Sequence, residues 1–450
     1  MNFHSSSKHL TLIELNEFSV DLLSRGAKEL KLKNIARLLS MKASVTTTDD
    51  MVEHRGLDPW VQWVSIHTGV PSSVHGIIHL GDTPAALSAR QLWEELSDAG
   101  VSSGIWGAMN ATREDAAQCQ FFLPDPWTFS EMAYPDKLNG LLALPRYYSK
   151  NYLDVSKQHF LSHTLTLAKF LLGSGAIFRL IKQLPLVFGG VCRNGINNAL
   201  LFSLFDLFSA VLFVKYKKLY NPQFSVIFLN SIAHLQHHRW ESGRLSKDAV
   251  FGLRVIDRVL GMLFAARGND EALVVMNALT QRNIVGEKPR ICYRQINPGR
   301  FLSAAGIPFR TVEQLMTNDA HVFFDSENAR EAAARALETV TLCGKALFQV
   351  ERSALDPLKL FYQVDFWDEL KDDEKVVVNK VELHFLHHFE AIVARTGAHI
   401  REGNVYCEGV ELPAHLYNHE MADNILRYFG VDRQLSSMLT KTSSRTEPAL

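Results

Sequence analysis

Short apolar runs that end in polar or glycine residues alternate along the chain with stretches of helical periodicity, the pattern of a mostly parallel sheet with helices on both faces. Residues 10–15 read as the first buried strand. Asn16 and Glu17 follow at its C-terminal end, and Ser19 is placed to cap a helix opening at Val20. Residues 102–108, 224–229 and 272–276 read as further strands, the last two ending in Asn230 and Asn277. Between residues 57 and 82, Trp60, Trp63, Val64 and Ile66 recur at helical spacing before Thr68-Gly69-Val70-Pro71, which predicts a helix broken by a turn. Pro124 and Pro126 predict a loop over 121–127. Residues 146–220 are helical in pattern, 329–340 is a helix between strand-like segments at 320–324 and 347–350, and a helix over 419–429 is ended by Gly430.

The expected fold class is therefore α/β, a central mostly parallel sheet sandwiched by helices, with a smaller inserted α+β lobe and a helical insertion. The expected boundaries are a core over 1–300 that includes the insertion at 146–220, the small lobe at 301–375, a return to the core over 376–432, and a flexible tail over 433–450. Four hundred and fifty residues with 47% hydrophobic side chains can bury such a core, and disorder is excluded. With 47 basic against 48 acidic residues the bulk charge gives no nucleic-acid signature. Residues 1–15 carry no legible secretory signal, and Cys119, Cys192, Cys292, Cys343 and Cys407 lack CxxC spacing, so free thiols and a cytoplasmic location are expected. The most apolar stretch, 199–214, is interrupted by Asp206 and reads as a buried or interfacial helix rather than a membrane span. Contact with a membrane surface stays open as its lesser alternative.

Histidine is frequent, at 18 residues, and position gives it meaning. His234, His237 and His238 follow a strand end at spacings that put pairs of imidazoles on one helical face, as metal ligation requires. His399 lies in a glycine-flanked segment read as a loop, whereas His384, His387 and His388 are read as the solvated face of an amphipathic helix. Glu14 and Asn16 share one face of the first strand, and Glu17 lies just past its end. Asp49, Asp50, Glu53, His54, Arg55 and Asp58 form a polar run that either reaches a site at the sheet edge or is a hydrated loop. No P-loop, GxGxxG, GxSxG or HExxH pattern occurs, which weighs against nucleotide kinases, Rossmann dehydrogenases, α/β-hydrolases and zincins.

The stretch 63–77, WVSIHTGVPSSVHGI, closely resembles the W-T-S-F-x-T-G-x-x-P-x-x-H-G-I signature of the alkaline phosphatase superfamily, in its type I phosphodiesterase/nucleotide pyrophosphatase branch. In the same order, 12–23 resembles that branch's first strand and metal-binding turn, 224–237 its strand and D-x-x-x-H, 272–280 its strand ending in S-D-H-G, and 397–409 its late G-x-H-x-x-x-G. The resemblance implies hydrolysis of phosphate or sulfate esters by two metal ions and a Thr or Ser nucleophile. Residue by residue it departs from that pattern. Asn16 stands at the first-strand Asp, Pro59 at the nucleophile, Ala233 at the Asp of D-x-x-x-H, and Ala278 and Leu279 at the Asp and His of S-D-H-G, while His237 and His399 match. The ligand count leaves room for one divalent ion, zinc or manganese, rather than two.

Three readings follow. The preferred one is a divergent hydrolase or transferase acting on a phosphorylated or sulfated metabolite, with Asn16, His234, His237 and His399 as metal ligands. Glu17, Asp58 and Ser65 are its catalytic candidates, and Asn230, His238 and Asn277 its substrate-binding ones. The second is a non-catalytic binder of a phosphorylated sugar, nucleotide or lipid, and the third a scaffold docking through the apolar helix at 200–213. A small phosphorylated or sulfated molecule is the expected partner, and nucleic acid is not.

Overall fold

The computed structural model describes residues 8–50, 57–315, 317–353, 356–370 and 372–433. The chain divides into two compact units, one formed by residues 1–139, 170–283 and 397–450, the other by 140–169 and 284–396.

The first unit is built on an eight-stranded sheet in the order His415–Tyr417, Lys42–Thr47, Gly403–Glu408, Glu271–Met276, His9–Leu15, Phe224–Leu229, Ser103–Trp106 and Cys119–Leu123. Every neighbouring pair is parallel except the two that involve Gly403–Glu408, which runs against both its neighbours. The three central strands are apolar almost throughout and buried on both faces, as a helix-covered parallel sheet demands. Helix Asn198–Tyr220 packs with Lys247–Ala265, while Pro59–Thr68 and Leu92–Asp98 pack with Glu420–Phe429. The fold class is thus the α/β arrangement that the hydrophobic pattern predicts.

Three local differences have physical causes. Residues 121–123 are strand rather than loop, because Pro124 falls just after the last ladder position of the edge strand Cys119–Leu123. His399 lies on a strand, Gly397–Ile400, which pairs antiparallel with Thr280–Asn283. His384 ends the strand Val381–His384 and forms an exposed ion pair with Asp373, with His387 and His388 on a single following turn, so no amphipathic helix carries them.

The second unit contains a four-stranded antiparallel sheet, in the order Phe348–Arg352, Lys359–Val364, Asp319–Phe323 and Thr311–Gln314, with helix Glu327–Glu338 packed against it. It is wider than the expected 301–375 because strand Ile291–Gln295 closes on Phe389–Ala394, outside those bounds. Residues 140–169 belong to it rather than to the core: buried Arg294 donates to the carbonyls of Ser149 and Lys150 and lies 3.9 Å from the Tyr152 ring centre. Of the residues expected to form a flexible tail, only Arg433 is among the described ones. Arg433 is held by Glu95, by Asp423 at 3.0 Å and by the Thr68 carbonyl at 2.9 Å, and residues 434–450 lie outside the described ones.

Candidate functional site

Strands His9–Leu15, Phe224–Leu229 and Glu271–Met276 end in register, with Leu15 opposite Leu229 and Glu14 opposite Met276. The residues that follow them, Asn16-Glu17, Asn230-Ser231 and Asn277, therefore emerge at one sheet edge, where open α/β sheets place their ligands. The Asn16 N–H extends the ladder to the Leu229 carbonyl at 2.9 Å, and Glu17 then turns back in the left-handed region at φ 57°. A non-glycine residue there is uncommon and costs on the order of 1 kcal/mol, so something must hold it. Gln236 does. Its Nε2 donates to the Glu17 carbonyl at 2.7 Å, and its Oε1 accepts from the Ser19 N–H at 2.8 Å, clamping both ends of the turn.

The turn aims the Glu17 carboxylate at two imidazoles. Its Oε2 lies 2.9 Å from His237 Nε2 and 3.0 Å from His399 Nε2, and the two nitrogens are 3.3 Å apart. His237 comes from the last turn of helix Ser231–His238, and His399 from the strand opposite Gln281. Gln281 Nε2 donates to the same Glu17 Oε2, and Asn16 Nδ2 donates to Oε1 at 2.9 Å. Gly397 admits this arrangement because a Cβ there would overlap Gln281 Oε1 and stand 2.8 Å from the Gln236 carbonyl.

Proton accounting decides what the cluster can hold. His399 Nδ1 is 2.6 Å from the Leu57 carbonyl, an acceptor only, so Nδ1 carries the proton and the neutral ring presents a lone pair at Nε2. That lone pair faces a carboxylate oxygen across 3.0 Å, an arrangement that needs a cation or an extra proton between them. Where protons rather than a cation fill that gap, burial works to raise the Glu17 pKa while the charge then carried by His399 and His237 holds it well below the ordinary carboxylate value. The separations of 2.9, 3.0 and 3.3 Å approach the roughly 3.3 Å between ligand atoms that a tetrahedral ion with bonds of about 2.0–2.1 Å would impose. Glu17, His237 and His399 therefore fit a single divalent ion, with the Leu57 carbonyl, Asn16 and Gln281 orienting the ligands as outer partners do.

The other residues singled out in the sequence fall in different places. Asn16 is not aimed at the cluster: its carbonyl oxygen accepts from Trp63 Nε1 at 2.8 Å, and its amide also reaches Asn230 Oδ1 at 2.8 Å. It positions Glu17 instead. His234 is stacked between Phe202, with ring centres 3.5 Å apart, and His238, at 4.8 Å. Burial lowers its pKa to about 3, so it is a neutral packing residue rather than one of the three converging ligands. Asn277 is fully engaged inside the fold, donating to the Phe18 carbonyl at 2.7 Å and Thr280 Oγ1 at 2.9 Å and accepting from the Asn404 N–H at 2.6 Å. No part of it remains for substrate.

Ser65 is buried in a network that disarms it. Its hydroxyl lies 2.7 Å from Asp50 Oδ2 and 3.1 Å from His75 Nε2. His75 Nδ1 accepts from the Ile77 N–H at 3.1 Å, so Nε2 carries the proton and donates to Ser65, which in turn donates to Asp50. The histidine cannot act as base toward that hydroxyl. Burial also pulls the His75 pKa down to about 4. Asp50 further accepts from Ser72 N–H and Oγ, so it is the organiser of this turn rather than a hydrated loop residue. Asp58 begins helix Pro59–Thr68 and follows Leu57, the residue that holds His399. Glu53, His54 and Arg55 lie outside the described residues.

Sequence reasoning missed Gln236, Gln281 and the Leu57 carbonyl. Gln281 is recognisable only once strand pairing sets it opposite His399, and a carbonyl leaves no trace in side-chain identity.

No protein-family model and no curated protein matches the chain. Solved structures similar to it include phosphonoacetate hydrolase from Sinorhizobium meliloti 1021 in complex with phosphonoacetate, at 13% identity and a TM-score of 0.46, covering 94% of this chain and 96% of that one. Murine ectonucleotide pyrophosphatase / phosphodiesterase 5 is similar at 10% identity and a TM-score of 0.45, covering 94% and 95% of the two chains. The human protein of that name gives 9% identity and a TM-score of 0.45 over 95% and 96%.

Proposed function

We propose that the protein is a hydrolase of small phosphate or sulfate esters that works with one divalent ion, zinc or manganese, held by Glu17, His237 and His399. The observation that carries this reading is the convergence of two imidazole nitrogens and one buried carboxylate oxygen within 3.3 Å at the strand ends. The motif order that resembles the type I phosphodiesterase branch supports the ester class. Such an ion, when bound, supplies Lewis acidity toward an anionic ester oxygen.

The chain's own residues define the rest. Pro59 offers no nucleophile where the resemblance implies one, and Ser65 is committed to Asp50, so attack by water rather than a covalent enzyme ester is the consistent route. Glu17, entering from the first strand end, supplies a carboxylate that Ala233 cannot, and the Ala233 carbonyl accepts from Gln281 Nε2 at 3.2 Å. Ala278 and Leu279, both at 0% exposure, fill with apolar packing the place where a second ion's ligands would stand. That packing also favours a second reading, a binder that holds its phosphorylated ligand without cleaving it.

The test is metal content after chelator-free purification, read beside turnover of an aryl phosphodiester. The expected result is about one equivalent of ion per chain, lost in Glu17→Gln, His237→Ala and His399→Ala, with turnover abolished by chelator. Folded protein without metal would overturn the metal site. Metal without turnover of phosphate or sulfate esters would leave the binder.

A further inference from the structure

The segment from residue 170 to 220 combines exposed apolar side chains with unopposed positive charge. Phe178, Ile181, Leu184 and Phe188 are exposed, Phe178 at 79% and Phe188 at 71%, and Ile196 is exposed at 75%. They are not the inward face of these helices: Leu180 and Gly190 are buried, and Gly190 is backed so closely by Phe251 that a Cβ would overlap its ring. The fold is satisfied without the exposed set. Phe178, Ile181, Leu184 and Phe188 follow one another at spacings of three and four residues along two consecutive helices, and exposed apolar side chains so repeated mark a site of contact.

The charge of this segment has one sign. Its single acidic residue is Asp206, which is buried and caps the backbone N–H groups of Asn230 and Ser231. Lys217 is neutralised by Glu271 at 2.7 Å. Arg179, Lys182, Arg193 and Lys218 have no ion pair among the described residues. Arg179, Lys182 and Lys218 line an open groove of about 210 Å³ whose floor is Val211, Val214 and Met262. Lys215 donates to the Ser174 carbonyl close by, and burial together with the charges of Lys137 and Arg179 lowers its pKa. Cations that repel one another beside an apolar floor, with no carboxylate to answer them, complement an anionic headgroup.

We infer that this face docks on the surface of a bilayer containing anionic lipid, Phe178 and Phe188 entering the interface while Arg179, Lys182 and Lys218 meet lipid phosphates. The mode is lying on rather than spanning. Helix Asn198–Tyr220 has the length and composition of a span, but most of its apolar window is buried inside the fold and so cannot face lipid. The inference stands on this surface alone and does not depend on chemistry at Glu17.

The experiment is flotation of the full chain with vesicles of phosphatidylcholine alone or with about 30 mol% phosphatidylserine, at about 0.1 and 0.5 M salt. Flotation is expected with the anionic vesicles only, weakened by salt. It should fall about tenfold or more in both Phe178→Asp/Phe188→Asp and Arg179→Glu/Lys182→Glu. These side chains are exposed, so the thermal midpoint should hold, and the wild-type result decides even if a variant unfolds. Absence of flotation overturns the inference, as does equal flotation on neutral vesicles. So does a self-associated form, seen by light scattering, that the variants dissolve while vesicles bind nothing: a second copy would then be the occupant.

Discussion

At φ 57° Glu17 sits in a backbone conformation that its side chain alone does not favour, and the two hydrogen bonds of Gln236 are what hold it there. Gln236→Ala should therefore leave the three ligands present but loosely aimed. We expect metal affinity to fall about 10–100-fold, the range for outer-sphere losses, and the thermal midpoint to drop by a few degrees because the Glu17 carbonyl and the Ser19 N–H lose a buried partner. A competition titration with a chromophoric chelator measures it, and unchanged affinity would mean the turn holds itself. One layer deeper, Glu14 Oε1 and His67 Nε2 lie 2.6 Å apart at 0% and 1% side-chain exposure. Glu14 Oε2 and His67 Nδ1 have no other hydrogen-bond partner among the described residues. Each group depends on the other, so His67→Ala should destabilise the fold by about 3–5 kcal/mol because it leaves the buried Glu14 carboxyl without its partner and opens a cavity beside Trp63 and Trp93. Glu14→Leu with His67→Phe should recover much of that loss in denaturant unfolding, since a buried pair is worth little over apolar packing.

Among the elements, helix Ser231–His238 depends on its neighbour for a cap. Asn230 makes no side-chain cap, and Asp206, reaching from helix Asn198–Tyr220, accepts from Ser231 N–H at 2.8 Å and Asn230 N–H at 3.2 Å. Burial nonetheless raises the Asp206 pKa to about 6. Against about 3.9 unfolded, the folded chain keeps a proton that the unfolded chain has released between those pH values, so this group's contribution to stability falls as pH rises through that window. Asp206→Asn lacks the titration. The stability of wild type relative to Asp206→Asn should decline by on the order of 3 kcal/mol between pH 4 and pH 7, measured by denaturant unfolding at each pH. A flat difference would remove Asp206 from the account. The same helix shows why elements were legible and their caps were not. Phe224–Leu229 and the helix ended by Gly430 announce themselves by apolar runs and glycine, whereas Asp206 in the sequence only interrupts an apolar stretch. Gly397–Ile400 carries too few apolar residues to declare a strand, and only its pairing with Thr280–Asn283 makes it one.

In the molecule as a whole, the parallel sheet, the strand ends and the histidines His237 and His399 could be read from the chain, because periodicity and residue type carry them. The third member of the cluster, Glu17, could not be placed there. Asn16 occupies the ladder-extending position, and the left-handed turn at the next residue is what brings the Glu17 carboxylate to the two histidines. Ala278 and Leu279 bear on whether a second ion could be accommodated. Ala278 and Leu279 are fully buried, and the Ala278 carbonyl is bound by Asn418 Nδ2 at 2.7 Å, so the segment is locked into the interior beside the site. Ala278→Asp with Leu279→His would place the carboxylate and imidazole that the S-D-H-G resemblance implies at positions that water does not reach. Without a preformed partner each polar group costs about 1–3 kcal/mol or more to bury, and an ionised carboxylate costs more still. The double variant should therefore lower the thermal midpoint by several degrees and still bind about one equivalent of ion, measured by calorimetry alongside metal analysis. A second equivalent, bound without loss of stability, would mean that the apolar packing is not what confines this site to a single ion.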